Sequence, residues 1–151
     1  EMHDMGWNYR ADELTCALGL SQLKRLDSNI KERKILVEEY YSLLSQNTYI
    51  TLPLKSYNNY SNVWHLFSIL IDFKSLDKSR GTVMKELEEL GVGTQVHYIP
   101  LFLQPYYRKN HSTKLEGAIQ YYNSTLSIPL YNGLNKKDIS YISSQINDVI
   151  N

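Results

Sequence analysis

The segment Val63-Trp64-His65-Leu66-Phe67-Ser68-Ile69-Leu70-Ile71 constrains this chain more than any other. It is apolar almost without a break, and polar residues bound it on both sides, Ser56 to Asn62 before and Asp72 after. Such a run reads as a central strand covered on both faces. Val92 to Tyr98, ended by Pro100, reads as a second strand, and Thr125-Leu126-Ser127-Ile128, closed by Pro129, as a third. Tyr49 to Leu52 reads as a short strand inside an otherwise polar loop over 47–62.

Helical patterns lie between and around these runs. Asp12 is placed to cap a helix over Glu13 to Leu26, because its carboxylate can accept amide hydrogens of the first turn. In that helix Leu14, Ala17 and Leu18 share one side, and Cys16, Leu20 and Leu23 another, which predicts burial on two sides. Gly19 in its middle predicts close approach of a neighbour. A second helix is expected from Asp27 or Ser28 to about Ser45. Ile30, Val37, Tyr41 and Leu44 form its stripe, and Lys31, Glu32, Arg33, Lys34, Glu38 and Glu39 its solvated face. Ser79 can cap a helix with core residues Val83, Leu87 and Leu90, stopped by Gly91. Pro105 opens a short helix, Leu115, Ala118, Ile119 and Tyr122 mark another, and Asp138 to Ile150 is a terminal helix with Ile139, Ile142, Ile146 and Val149 on one side.

The expected order is α-α-β-α-β-α-β-α, an α/β (α+β) fold with a small three-stranded sheet packed with helices. Residues 1–46 read as a linking loop and two helices, and residues 47–151 as a small α/β domain. A chain that begins in a loop and runs straight into a two-sided apolar helix reads as the C-terminal segment of something longer. That helix also predicts self-association, since it would otherwise expose apolar area.

At 151 residues, the chain is long enough for one domain with a genuine core. Sixteen basic residues balance 16 acidic ones, which argues against nucleic acid as a partner. No run approaches the ~18 apolar residues of a membrane span, and the polar start is not a signal peptide. The single cysteine, Cys16, cannot form an internal disulfide and reads as a buried, inert thiol. With nothing pointing to secretion, the default location is cytoplasmic, and the Asn-X-Ser/Thr triplets at Asn59, Asn110 and Asn123 are chance.

No complete catalytic motif is present. Gly91-Val92-Gly93 follows a helix where a phosphate loop would precede one, so it reads as a helix stop. The histidines at positions 3, 65, 97 and 111 have no metal-ligand spacing, so no metal site is expected. Asn8-Tyr9-Arg10 stands just before a helix N-terminus, where an amide, a guanidinium and backbone amides would favour an anion. The alternative is local: Asn8 makes a turn, Tyr9 packs, and Arg10 pairs with Asp12 or Glu13. His97-Tyr98 ends a strand, a place that often delivers polar side chains to a cleft, or else His97 is a hydrogen-bonded structural residue.

Three blocks carry a resemblance. Gly6-Trp7-Asn8-Tyr9-Arg10 with Asp12-Glu13-Leu14 and Ala17-Leu18-Gly19-Leu20-Ser21-Gln22-Leu23 is the first. Gly93 to Pro100 with Leu103-Gln104-Pro105-Tyr106-Tyr107 is the second, and Leu126 to Tyr131 with Gly133-Leu134 is the third. Together and in order they resemble the DegT/DnrJ/EryC1/StrS sugar aminotransferases, pyridoxal 5'-phosphate enzymes of fold type I. The wording is most similar to the branch acting on 4-keto-6-deoxy UDP-N-acetylhexosamines. The resemblance implies the C-terminal small domain of such an enzyme, a homodimer that takes a keto nucleotide sugar and an amino donor such as glutamate. It implies a cofactor-phosphate contact for Asn8, with Arg10 beside it, and substrate contacts for His97 and Tyr98. No lysine here falls in the Schiff-base context, so no residue of this chain is implied as catalytic and the chain is expected to be inactive alone. The competing expectation is a non-catalytic remnant or split-gene product that only folds and self-associates. The chain departs from the family pattern at Phe102, where a histidine is common, at Cys16, where alanine is usual, and over Asn110-His111-Ser112-Thr113.

Overall fold

A computed structural model describes residues 3, 6, 9–57, 60–108 and 115–151. A single helix, α1, runs Glu13–Leu44. The Asp12 carboxylate caps it, accepting from Thr15 N at 2.8 Å and Thr15 Oγ1 at 3.0 Å, as the sequence predicts. The break expected at Asp27 or Ser28 does not occur. The Ser28 hydroxyl donates back to the Arg25 carbonyl at 2.9 Å, so a residue that often caps helices is accommodated within one.

The chain then forms β1 (Ile50–Thr51), a small hairpin of β2 (Ser56–Tyr57) and β3 (Tyr60–Ser61), and β4 (Phe67–Ile71). Helix α2 (Arg80–Glu89) is capped by Ser79, and Gly91 after it takes the left-handed conformation at φ 75°, both as expected. A 3-10 turn at Leu101–Leu103, α3 (Pro105–Arg108), α4 (Glu116–Ser124), β5 (Thr125–Ile128) and α5 (Lys136–Ile150) follow. Asn135 caps helix α5, its side chain and that of Asp138 forming a reciprocal capping box.

The main sheet is antiparallel in the order β1-β4-β5, with Ser68 opposite Ser127 and Ile69 opposite Leu126. The expected nine-residue run shortens at its start because Trp64 adopts a positive φ of 55°, which takes the backbone out of the extended region. The expected strand over 92–98 is reduced to one bridge, Gln95 with Ser127, on the far side of β5 from β4. Every residue of β5 is therefore buried.

The core lies between this sheet and the second half of α1, α2 and α5. Tyr40, Leu44, Phe67, Ile69, Leu126, Ile139 and Ile146 are fully enclosed. The Tyr40 ring stacks on Phe67 at 5.0 Å, and its hydroxyl donates to the Pro129 carbonyl at 2.7 Å, just past β5. Leu90, expected in the core, is 38% exposed at the end of α2.

The first half of α1 does not meet the expectation of two-sided burial. Leu14, Leu18, Leu20 and Leu23 are exposed, Leu14 at 84%. Cys16 is exposed rather than buried, and nothing approaches within 4 Å of where a Gly19 Cβ would stand. Nothing in the described structure packs against this half of the helix.

Candidate functional site

A cleft of about 420 Å³ opens at the end of β5. Its walls come from the α2–95 connection (Gly91, Gly93, Gln95), His97, the end of β5 (Ser127, Pro129), and Tyr131 and Tyr141. Its location follows from the sheet. The Gln95 bridge holds the 95–97 segment beside β5 through Gln95 N to Ser127 O at 3.1 Å and Ser127 N to Gln95 O at 2.8 Å. Two residues further, His97 lies on the cleft with its Nδ1 2.8 Å from the Ser127 hydroxyl. The Ser127 hydroxyl in turn lies 2.7 Å from that of Ser68 on β4. Tyr141 closes one side, its hydroxyl donating to the Leu90 carbonyl at 2.9 Å.

Arg33 ties the chain ahead of β4 to α1 and to Asn132. Its Nε donates to Asn132 Oδ1 at 3.0 Å, and its Nη1 donates to the carbonyls of Trp64 and His65 at 3.0 and 3.2 Å. Asn132 returns amide hydrogens to the Asn29 carbonyl at 3.2 Å and to Glu32 at 2.9 Å. Arg33 therefore clamps the left-handed turn at Trp64 to α1. Its assignment to a solvated face from sequence is corrected here: the guanidinium serves backbone carbonyls. The half-burial that allows this depends on the loop from β3 to β4, which the helical pattern does not carry.

Among the described residues singled out from sequence, His97 and Tyr98 stand together and Arg10 is not brought to them. His97 lines the cleft, and Tyr98 sets its ring edge-on to His97 at 4.6 Å while remaining 71% exposed. The peptide bond between them is cis. Arg10 is exposed ahead of α1, makes no ion pair with Asp12 or Glu13 among the described residues, and does not line the cleft. Asn8 lies outside the described residues, as do Asn110 to Thr113. Phe102 is half-buried in the 3-10 turn. Sequence reasoning missed Ser68 and Ser127. Their signal was there: each is a lone hydroxyl between apolar neighbours, in Phe67-Ser68-Ile69 and Leu126-Ser127-Ile128. Among the described residues, no group of His, Cys, Asp and Glu could hold a metal ion, and no helix is long and apolar enough to cross a membrane.

These features define a small antiparallel α/β domain with a neutral, hydroxyl-rich cleft, attached to a long helix of which one half is uncovered. The DegT/DnrJ/EryC1/StrS aminotransferase family model matches residues 1–147, and the chain belongs to that family. It is 32% identical to the UDP-4-amino-4,6-dideoxy-N-acetyl-beta-L-altrosamine transaminase of Campylobacter jejuni, over 99% of this chain and 40% of that protein. It superposes on Helicobacter pylori PseC, an aminotransferase involved in the biosynthesis of pseudoaminic acid, with a TM-score of 0.88 at 27% identity, covering 99% of this chain and 40% of PseC. NtdA of Bacillus subtilis, solved with bound cofactor PMP, matches at a TM-score of 0.82 and 26% identity, covering 99% of this chain and 35% of that one. The chain spans about 40% of the length of the relatives it matches, in their C-terminal part.

The family's enzymes use pyridoxal phosphate, which needs a lysine amine for its aldehyde and donors or cations for its phosphate. Among its described residues, the cleft holds no lysine, arginine, aspartate or glutamate. The cleft on its own therefore does not fit that cofactor.

Proposed function

We propose that this chain is the C-terminal part of a pyridoxal-phosphate aminotransferase that aminates a keto nucleotide sugar in amino-sugar biosynthesis for cell-surface polysaccharide. The observation that carries the reading is the continuous family match over residues 1–147, set against the 40% share of each relative that it covers. In this reading the chain supplies substrate contacts and the large domain supplies the chemistry. His97, with Tyr98 beside it, faces the sugar, and Asn8, with Arg10 next to it, approaches the cofactor phosphate, across a homodimer contact. The amino donor is glutamate or a similar amino acid, and the enzyme works in the cytoplasm. A cleft with hydroxyl, amide and imidazole groups and no fixed charge suits a neutral sugar ring. The uncovered leucines of α1 suit a helix that packs on a further domain.

Alone, the 151-residue chain is expected to hold pyridoxal phosphate weakly and to show no transamination. A single neutral hydrogen bond contributes about 1 kcal/mol, whereas micromolar binding needs about 8. The deciding experiment is the isolation of the native protein from its cells. Its intact mass is expected to exceed 17.6 kDa, or a second, lysine-bearing chain to co-purify, with cofactor absorbance and glutamate-dependent amination of a keto nucleotide sugar. Asn8→Ala should then lower cofactor retention. A native protein of 17.6 kDa that self-associates without cofactor would instead establish the non-catalytic reading.

A further inference from the structure

The Ser68–Ser127–His97 chain has a direction, and that direction decides what the cleft offers a ligand. Ser68 and Ser127 are directly opposed in the β4–β5 register, their hydroxyls 2.7 Å apart, and Ser127 is only 5% exposed. His97 Nδ1 is 2.8 Å from the same Ser127 oxygen, and no other side chain among the described residues bonds to either serine hydroxyl. Each hydroxyl has one proton to give.

If His97 donated from Nδ1, Ser127 would have to pass its own proton to Ser68. The Ser68 proton would then have no protein acceptor among the described residues. If both His97 and Ser68 donated to Ser127, the buried Ser127 proton would have none. Only one arrangement keeps both hydroxyl protons on protein acceptors: Ser68 donates to Ser127, and Ser127 donates to His97 Nδ1. Ser127 is 5% exposed, and a buried donor without an acceptor is costly, which removes the second arrangement. Ser68 is half-buried, so the first would leave its proton to solvent, and the remaining direction alone gives both protons protein acceptors.

We infer that Ser127, backed by Ser68, is a positioning residue that fixes His97 as the Nε2–H tautomer, so that the cleft presents the ligand with a hydrogen-bond donor. The inference rests on the proposed substrate-facing role of His97 and deepens it. The matching chemistry is an acceptor oxygen, such as a sugar hydroxyl or a carbonyl, rather than an amino group. The hydroxyl relay also holds the ring in place from behind, which is how partners behind a histidine commonly set its tautomer.

The test is a long-range proton–nitrogen correlation spectrum of the chain labelled with 15N-histidine, with His97 assigned by His97→Gln. The wild-type chain is expected to show His97 in the Nε2–H form alone. Ser127→Ala should let a detectable share of the Nδ1–H form appear, and Ser127→Thr should remove it again. If Ser127→Ala does not fold, Ser127→Cys keeps the size and weakens the donor, and the Nδ1–H form should again appear. An Nδ1–H tautomer in the wild-type chain, or an unchanged His97 signature in the folded Ser127 variants, would overturn the inference. The spectrum needs no turnover, so it can fail while the aminotransferase reading stands, and the reverse also holds.

Discussion

Leu14, Leu18, Leu20 and Leu23 stand in the first half of α1, and Leu36 and Leu44 in the second, on one unbroken helix. The first group faces solvent, Leu23 at 66% exposure, while Leu44 is fully enclosed. Residue type and helical spacing are alike in the two halves, and what differs is the presence of a partner. The second half rests on the sheet and on α5, where Lys136 pairs with Glu39 at 2.9 Å and Asn147 reaches the Leu43 carbonyl at 3.4 Å. A helix can thus be continuous in backbone and discontinuous in energetics, because most helix stability comes from packing one face rather than from propensity. The proposed large domain would give the first half the cover that α5 and the sheet give the second.

The largest expected effect tests that contrast directly. Tyr40→Ala removes a fully buried ring, its stacking on Phe67 and the donor to Pro129, and should destabilise the chain by about 3–5 kcal/mol. Leu18→Ala on the exposed half should change stability by no more than about 0.5 kcal/mol. Urea unfolding of the two variants measures both numbers. A comparable loss from Leu18→Ala would mean that the first half is already packed in the isolated chain.

Arg33 marks the border between the halves, and Arg33→Gln sharpens where it lies. The substitution removes the charge-assisted bonds to the carbonyls of Trp64 and His65, at an expected cost of about 1–3 kcal/mol. The loss should be concentrated around residues 63–66, seen as faster amide exchange there while α5 keeps its protection. Loss confined to α1 itself would place the border further along the helix.

These contrasts also explain what the sequence revealed. Caps, glycine stops and the apolar stripe of α5 are local, and they were legible because Asp12, Ser79 and Gly91 act within a few residues of themselves. The length of α1 was not, since Asp27 and Ser28 look like a helix start until the back-bond to Arg25 is seen. The strand at 92–98 has the composition of a strand, yet only Gln95 finds a partner, and pairing is a tertiary fact. Trp64 has a favourable side chain for a strand and an unfavourable backbone, held by an arginine about thirty residues away in sequence, a separation that residue periodicity cannot see. His97 was found from its place at a strand end and from the family blocks. Ser127 and Ser68 were not, because each becomes informative only when the β4–β5 register sets it opposite the other.

The smallest expected effect concerns acid. Hydrogen bonds from the Thr15 amide and hydroxyl hold the Asp12 carboxyl below its usual value of 3.8. A depressed value in the folded helix means that the capped form is favoured while the carboxylate is charged. That contribution is complete above 3.8 and is lost as pH falls through the lower, folded-state value. On the packed half of α1 such a loss would spread through tertiary contacts, but Asp12 caps the uncovered half, where no other group shares it. Lowering the pH through this window should therefore lower the protection of the Thr15 amide and its neighbours, taken relative to unstructured peptide at the same pH, while leaving the protection of Leu44 in the packed half unchanged. Asp12→Asn, which keeps an accepting oxygen and removes the titration, should abolish the pH dependence and retain the cap. Exchange that instead quickened along all of α1 together would show that its two halves open as one unit.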